Sequence, residues 1–289
     1  MLRRLEELSN LIGVSGDEGR VRRYIKAELA NIDGLDMKTD AMGNLIVHKA
    51  GKGPKVMVAA HMDEVGMIVI GALDNGLIAY GQRGIDSRVV VSKRVLVGDE
   101  MIEGVIGAKA IHLQTAADRK TVLGHSELFV DIGAKDKDDA LKYVKPGDRI
   151  GFATKFKRLG EKRVLGKALD DRVGCAILMQ LLANDYECDF YGVFTVQEEV
   201  GTRGGQVTAQ RIQPDIGVAV DVTPCHDRPG DLEGSNALDH GVAIKISDTG
   251  SISDEGLVNK SIALCKEHNV PYQKDVIYVG GTDASSINL

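Results

Sequence analysis

Four short segments of the chain place histidine or acidic residues where a metal ion or a proton could be handled. The first is His61-Met-Asp63, which closes the apolar run at residues 56–60. Side chains at positions i and i+2 of a strand point to one face, so the imidazole could bind a metal while the carboxylate fixes its tautomer. A simple polar pair at a strand end is the alternative, because this spacing alone is common.

The second segment is Asp170-Asp171, directly before an apolar run at residues 173–182. Two adjacent carboxylates at this place could bridge cations. They could equally cap the N-terminus of the helix that the apolar run predicts.

The third and fourth segments follow strongly apolar runs. Glu198 and Glu199 come after residues 190–196, and Asp221 comes after residues 218–220. Successive side chains on a strand diverge, so one glutamate could bind a metal and the other could act as a general base. Acidic turns or caps are the alternative for all three carboxylates.

Taken together, the four segments all place His, Asp or Glu at the carboxyl end of a predicted strand or at a helix start beside one. That edge is where an open α/β sheet binds its ligands. An imidazole combined with carboxylates, without thiolates, suits Zn, Co or Mn. The combination therefore favours a metal site over four unrelated caps and turns.

The N-terminal part of the chain predicts helices followed by strands. Apolar residues recur every three to four positions at residues 2–8 and 21–29, with a helix-start signal at Ser15-Gly-Asp-Glu18 between them. Short β-type runs follow at residues 44–48 and 56–60.

The middle of the chain predicts a small all-β unit, interrupted by one short acidic helix at residues 136–143. Its short apolar runs are separated by Gly and Asp and lie at residues 68–70, 77–80, 89–91, 94–97 and 104–106.

Strand and helix alternation resumes with a helix at residues 173–182, strands at 190–196 and 216–222, and a helix at 255–268. The simplest architecture is an α/β domain, with a mixed sheet flanked by helices, built from residues 1–65 and 160–289. A small β domain at residues 66–159 is inserted into it.

Composition excludes several classes of partner. The net charge is −6 and aromatic residues make up 4% without any Trp, so we expect no nucleic acid partner. The four cysteines lie far apart and form no CxxC pair, which argues against a zinc ribbon or a redox site. Without an apolar run long enough to span a membrane, and with Leu and charge alternating at the N-terminus, we expect a cytoplasmic protein and no membrane partner.

Five motifs, in order along nearly the whole chain, give a family resemblance. They are AHMDEVG at 60–66, GKALDDRVG at 166–174, TVQEEVGTRGG at 195–205, VAVDVTPCHDRPGD at 218–231 and VGGTDAS at 279–285. The chain resembles the tetrahedral, glutamyl-type aminopeptidases, a family of dinuclear metallopeptidases in which some members carry an endoglucanase label.

The resemblance implies a zinc-exopeptidase-like catalytic domain with two divalent metal ions per subunit. His61 and Asp221 would bind one ion, Asp170 would bridge, and Glu199 would bind the second. The family's final metal-binding histidine is expected beyond the GGTDA segment, outside the 289 residues.

The same resemblance implies an aminopeptidase that acts on short peptides through a bridging hydroxide. Asp63 would orient His61, and Glu198 would be the general base. The inserted β domain, PDZ-like or barrel-like, would be a dimerisation domain through which dimers build a dodecamer.

Two other functions stay open from the sequence. An endoglucanase-type glycoside hydrolase is suggested by the family's label, although adjacent Glu198 and Glu199 would not straddle a glycosidic bond. A non-catalytic assembly protein, in which only the β domain matters, is the other.

Overall fold

The computed structural model describes residues 1–227, 230, 236–278 and 280–287. Parts of two sequence motifs lie outside the described residues: Arg228, Pro229 and Asp231 in one, and Val279 in the other.

Helices and strands alternate at both ends of the chain, and strands dominate its middle. The α-helices are α1 Leu2–Asn10, α2 Gly19–Leu29, α3 Lys137–Ala140, α4 Leu169–Leu181, α5 Arg203–Ile212, α6 Glu255–Glu267 and α7 Ala284–Ile287. The strands are β1 Asp36–Thr39, β2 Leu45–Lys49, β3 Lys55–His61, β4 Met67–Ala72, β5 Ile78–Gln82, β6 Arg94–Val97, β7 Ile102–Gly107, β8 Phe129–Asp131, β9 Arg149–Phe152, β10 Lys157–Leu159, β11 Arg163–Leu165, β12 Asp189–Thr195, β13 Ile216–Ala219, β14 Val242–Ser247 and β15 Tyr272–Val276.

The chain folds into two compact units. The first unit consists of Met1–Asp33, Met62–Gln180 and Glu199–Gly201, and the second consists of Gly34–His61, Leu181–Glu198 and Thr202–Leu289.

The first unit contains a closed antiparallel barrel with the strand order β4-β5-β8-β7-β6-β9. Strand β4 pairs with both β5 and β9, so the barrel closes and has no free edge. Along β4, Met67 and Val69 are buried while Ile68 and Ile70 are exposed, which is the alternation of a strand with one face on a core. The predicted small all-β unit is confirmed as a barrel.

Two predicted elements in the barrel region differ in the structure. Residues 89–91 do not form a strand; a 3₁₀ turn, Ser87–Val89, is capped by Asp86, whose carboxylate accepts the Arg88 N–H at 2.9 Å. This local side-chain bond competes with strand pairing. The acidic helix is only the short α3, capped by Asp136.

Helices α1 and α2 of the first unit are confirmed. On α2 the buried residues are Val21, Ile25 and Leu29, which follow one helix face at a spacing of four. The helix-start signal at Ser15 is wrong in detail, because α2 begins after Glu18 without a side-chain cap.

The second unit contains a mixed sheet with the strand order β1-β2-β12-β3-β13. Strands β12, β3 and β13 are parallel neighbours, and β2 pairs antiparallel with β1 and β12. The central strand β3 is buried from Met57 to His61, as its apolar sequence predicts. A core cluster on this sheet includes Ile46, Met57 and Val193.

Helices α5, α6 and α7 and a separate parallel pair, β14 and β15, also belong to the second unit. The predicted strand at 216–222 is the shorter β13, which ends at Ala219. Within the described ranges, no helix has both the length and the apolar character needed to cross a membrane.

Candidate functional site

The carboxyl ends of three parallel strands carry the candidate residues of the second unit. Strand β3 lies between β12 and β13, and Thr195 of β12 is level with His61 of β3. On the other side, Ala219 of β13 is level with Ala59 of β3. If the same register continues for two more residues, Asp221 is level with His61. The Val220 N–H donates to the Ala59 carbonyl at 2.8 Å and keeps this register past the end of β13.

His61 ends β3 and is almost fully buried, with 2% of its side chain exposed. Its Nε2 lies 3.8 Å from Asp221 Oδ1 and 4.0 Å from Glu198 Oε2. The structure therefore brings together three of the six predicted site residues within the second unit. We name His61, Glu198 and Asp221 the ligand cluster.

The ligand cluster fits a divalent metal ion. Two ligand atoms that each lie about 2.0–2.2 Å from one ion are separated by about 3–4 Å. The 3.8 Å distance from His61 Nε2 to Asp221 lies within this range, and the 4.0 Å distance to Glu198 lies at its upper end. Both distances are longer than a hydrogen bond. A buried imidazole beside carboxylate oxygens is a donor set that zinc and similar ions prefer.

The turn that carries Glu198 is fixed by side chains that the sequence did not single out. Asn44 Oδ1 accepts the Val196 N–H at 3.0 Å, and the Thr195 hydroxyl donates to Asp283 Oδ2 at 2.5 Å. The Thr202 N–H donates to the Glu198 carbonyl at 2.8 Å. Asp283 lies in the GGTDAS motif, so the motif was visible in the sequence, but its partner, 88 residues away, was not.

Asp63 and Glu199 lie in the first unit. Asp63 is fully buried, and its Oδ2 accepts the backbone N–H of Glu199 at 3.2 Å. The same oxygen accepts a hydrogen bond from the Ser15 hydroxyl at 2.7 Å. Ser15 is thus a contact of a candidate site residue that sequence reasoning missed.

The two aspartates before α4 have different surroundings. Asp171 is fully buried, and its Oδ1 accepts the Gly174 N–H at 2.9 Å. The capping alternative is therefore correct for Asp171. Asp170 precedes it across a cis peptide bond and is partly exposed in the first unit.

Relatives along the whole chain are aminopeptidases by name. A protein of Acetivibrio thermocellus, named as a candidate aminopeptidase, is 37% identical over 289 residues, which cover 99% of this chain and 85% of that protein. The glutamyl aminopeptidase of Lactococcus lactis is 30% identical over 302 residues, which cover 99% of this chain and 83% of that protein.

Solved structures agree with this similarity. The TET aminopeptidase of a Thaumarchaeota archaeon matches with a TM-score of 0.94 at 30% identity, covering 99% of this chain and 84% of that one. The Pyrococcus horikoshii TET1 peptidase, described as assembling into a tetrahedron or a large octahedral shell, matches with a TM-score of 0.89 at 33% identity, covering 99% and 87%. Another TET1 structure is described as a dodecamer.

One similar structure carries a different name. A Thermotoga maritima protein described as an endoglucanase matches with a TM-score of 0.81 at 30% identity, covering 98% of this chain and 93% of that one. The family model of the M42 glutamyl aminopeptidases matches residues 43–289. The chain belongs to the M42 glutamyl aminopeptidase family and is a metal-dependent aminopeptidase.

Proposed function

We propose that this aminopeptidase removes the N-terminal residue of short peptides with two divalent ions and with Glu198 as its general base. The observation that supports this most is the ligand cluster, in which a buried imidazole and two carboxylates meet at the carboxyl ends of parallel strands.

Each candidate residue has a role in this proposal. His61 and Asp221 would hold one ion, Asp170 would bridge to the second, and Glu199 would hold that second ion. The chemistry that divalent ions supply at such a site is the acidification of a water molecule and the polarisation of the peptide carbonyl. Zn, Co and Mn all suit these nitrogen and oxygen donors.

Glu198 moves the proton. It accepts a proton from the attacking water and returns it to the leaving amine, which needs a carboxylate close to the ions but available as a base. Its main chain is held by the Thr202 N–H, so the side chain starts from a fixed position. Asp63 orients His61 in this proposal, as carboxylates commonly do for metal-binding histidines.

A glycoside hydrolase is the second candidate, because two similar structures carry an endoglucanase name. That reaction needs two carboxyl groups about 5–9.5 Å apart on either side of the sugar bond, and it has no use for an imidazole between them. In the ligand cluster, His61 lies within 4.0 Å of both carboxylates and would have no role. The peptidase proposal explains all three residues.

The test compares substrates directly. Purified protein is incubated with a panel of aminoacyl-p-nitroanilides, with the N-acetylated form of the best substrate and with a β-glucan, each with and without Co or Zn. We expect metal-dependent release of nitroaniline from free amino termini and none from the acetylated control. Metal-dependent release of glucose units without anilide cleavage would overturn the proposal, and fully metal-loaded protein without either activity would favour a non-catalytic assembly protein.

We further propose that residues 66–159 form the inserted domain through which copies of a cytoplasmic enzyme assemble, as dimers building a dodecamer. Several apolar side chains of this region are exposed, among them Ile70, Ile111, Leu113 and Val122, and such side chains favour burial against a partner. Light scattering on a size-exclusion column tests it, and a monomer at micromolar concentration would contradict it.

A further inference from the structure

The carboxylate of Asp63 receives two hydrogen bonds on one oxygen. The Ser15 hydroxyl donates to Oδ2 at 2.7 Å, and the Glu199 N–H donates to the same atom at 3.2 Å. An O–H donor to an ionised carboxylate forms a short and strong bond, so the hydroxyl is the closer constraint on this side chain.

The loop that carries Ser15 is bound to the backbone beside Asp63. Val14 and Glu64 form a parallel β-bridge. The Glu64 N–H donates to the Gly13 carbonyl at 3.0 Å, and the Gly13 N–H donates to Glu64 Oε1 at 2.9 Å. From the other side, Arg149 Nε donates to the Ser15 carbonyl at 3.1 Å. Ser15 and Asp63 are therefore held in register by the main chain.

A buried group of charges fixes this loop. Lys167 Nζ donates to both carboxylate oxygens of Glu64, at 2.8 and 2.9 Å. Arg172 donates to the Leu8 carbonyl at 2.6 Å and to the Met62 carbonyl at 3.0 Å. We name Glu64, Lys167 and Arg172 the framework cluster; their side chains are at most 5% exposed.

Two glycines on either side of Ser15 permit this close packing. A Cβ at Gly13 would lie 2.8 Å from an Arg172 nitrogen and 2.8 Å from a Val21 methyl group. Gly16 has a φ of +83°, in the region that favours glycine. These glycines permit the observed path of the loop, on which the Ser15 hydroxyl donates to Asp63 while α2 begins without a side-chain cap.

We propose that Ser15 is a positioning residue of the metal site. Its hydroxyl fixes the carboxylate of Asp63, the residue to which the proposed function assigns the orientation of His61. The inference rests on the proposed function, because it needs His61 to hold an ion. The framework cluster acts one step further out, by holding the loop that presents Ser15.

The experiment measures metal affinity and stability on the same variants of the full chain. Metal-free wild type, Ser15→Ala and Ser15→Thr are titrated with Co in competition with a chromophoric chelator, and thermal unfolding of each metal-free protein is recorded. Ser253→Ala is the matched control, because its hydroxyl also donates one hydrogen bond, to the Lys245 carbonyl at 2.8 Å.

We expect Ser15→Ala to bind Co about 10-fold more weakly, the lower end of what loss of an outer hydrogen bond at a metal site costs. Ser15→Thr keeps the hydroxyl and should restore the wild-type affinity, and Ser253→Ala should bind as wild type does. A Ser15→Ala protein that binds Co as tightly as wild type overturns the inference alone. The inference is also overturned if Ser253→Ala loses Co affinity too, and if in both variants the loss of affinity follows the drop in melting temperature. A wild type that binds no divalent ion overturns the proposed function as well.

Discussion

The framework cluster of the first unit is buried, whereas the ligand cluster of the second unit combines the buried His61 with two partly buried carboxylates, and the two clusters differ in their spacing. In the framework cluster, Lys167 Nζ donates to both carboxylate oxygens of Glu64 at 2.8 and 2.9 Å, and Arg172 donates to the Leu8 carbonyl at 2.6 Å. In the ligand cluster, His61 Nε2 lies 3.8 Å from an oxygen of Asp221 and 4.0 Å from an oxygen of Glu198.

This difference matches a structural role for the framework cluster and a chemical role for the ligand cluster. Burying a polar group is costly unless it is hydrogen-bonded, and the framework cluster meets that need inside the protein. Burial lowers the pKa of Lys167 while Glu64 opposes this, so the ammonium depends on its close partner. In the ligand cluster, Asp221 Oδ1 accepts the Val222 N–H at 2.7 Å, and the same oxygen lies 3.8 Å from His61 Nε2, a separation that two ligands of one ion would have. Four predictions test whether this contrast is correct.

The largest expected effect is on catalysis. Glu198→Gln should lower kcat on an aminoacyl-p-nitroanilide by about 10²–10⁴-fold, because an amide cannot accept a proton from water. Bound metal, measured by elemental analysis, should stay at the wild-type level. The matched control is Glu187→Gln, an exposed residue of the same unit, which should keep full activity. An unchanged kcat in Glu198→Gln would show that Glu198 is not the general base.

The second prediction concerns the framework cluster. Lys167→Met should lower the free energy of unfolding by about 3–5 kcal/mol, because it leaves the Glu64 charge buried without its closest partner. Urea unfolding followed by circular dichroism measures this, with the exposed Lys162→Met as control. If both variants are equally stable, the cluster is not the structural framework that the comparison assumes.

Metal removal gives the third effect. At free metal 100 times above the dissociation constant, binding stabilises the fold by about 2.7 kcal/mol, and a chelator should abolish this gain. In thermal unfolding with and without chelator, His61→Ala should show no metal-dependent shift, whereas the exposed His112→Ala should shift as wild type does. A metal-dependent shift that survives in His61→Ala would place the ion elsewhere.

The smallest effect belongs to a partly buried pair, in which His48 Nε2 lies 2.7 Å from Asp189 Oδ1. The hydrogen bond from His48 lowers the pKa of Asp189. The stability from this shift is complete above the unfolded-state pKa of about 3.9 and is lost as the pH falls through the lower folded-state value.

His48→Phe should therefore lose less stability than wild type between pH 7 and pH 3, by at most about 1 kcal/mol. The phenyl ring can keep the stacking on Tyr191, where the ring centroids are 4.3 Å apart. Urea unfolding at the two pH values decides. An equal or greater acid loss in the variant would show that the pair does not act as the pKa indicates.

The sequence was sufficient for the sheet edge, because apolar runs that end in acidic residues or histidine mark parallel strands directly. Strands β3, β12 and β13 all lie where their runs predicted, and His61, Glu198 and Asp221 meet there. The barrel was also predictable as an all-β unit from its short apolar runs. Its closure was not, since pairing of β4 with β9 joins residues about 80 positions apart.

Local hydrogen bonds explain what the sequence left open. The Asp170-Asp171 pair allowed both capping and metal binding, and only the contact with the Gly174 N–H shows that Asp171 is the cap. Ser15 carried a helix-start pattern, but its hydroxyl contacts Asp63, 48 residues later. No spacing rule reports such a contact, because it depends on how the loop packs on Arg172. The catalytic and metal-binding roles of the six site residues remain predictions.

The most direct test of the central claim is anomalous scattering from crystals of the full chain soaked in Zn. We expect an ion about 2.0–2.2 Å from His61 Nε2 and from a carboxylate oxygen of Asp221, with Glu198 close by as the base and not among the ligands. Zn bound at other residues, with His61 and Asp221 not among its ligands, would contradict it.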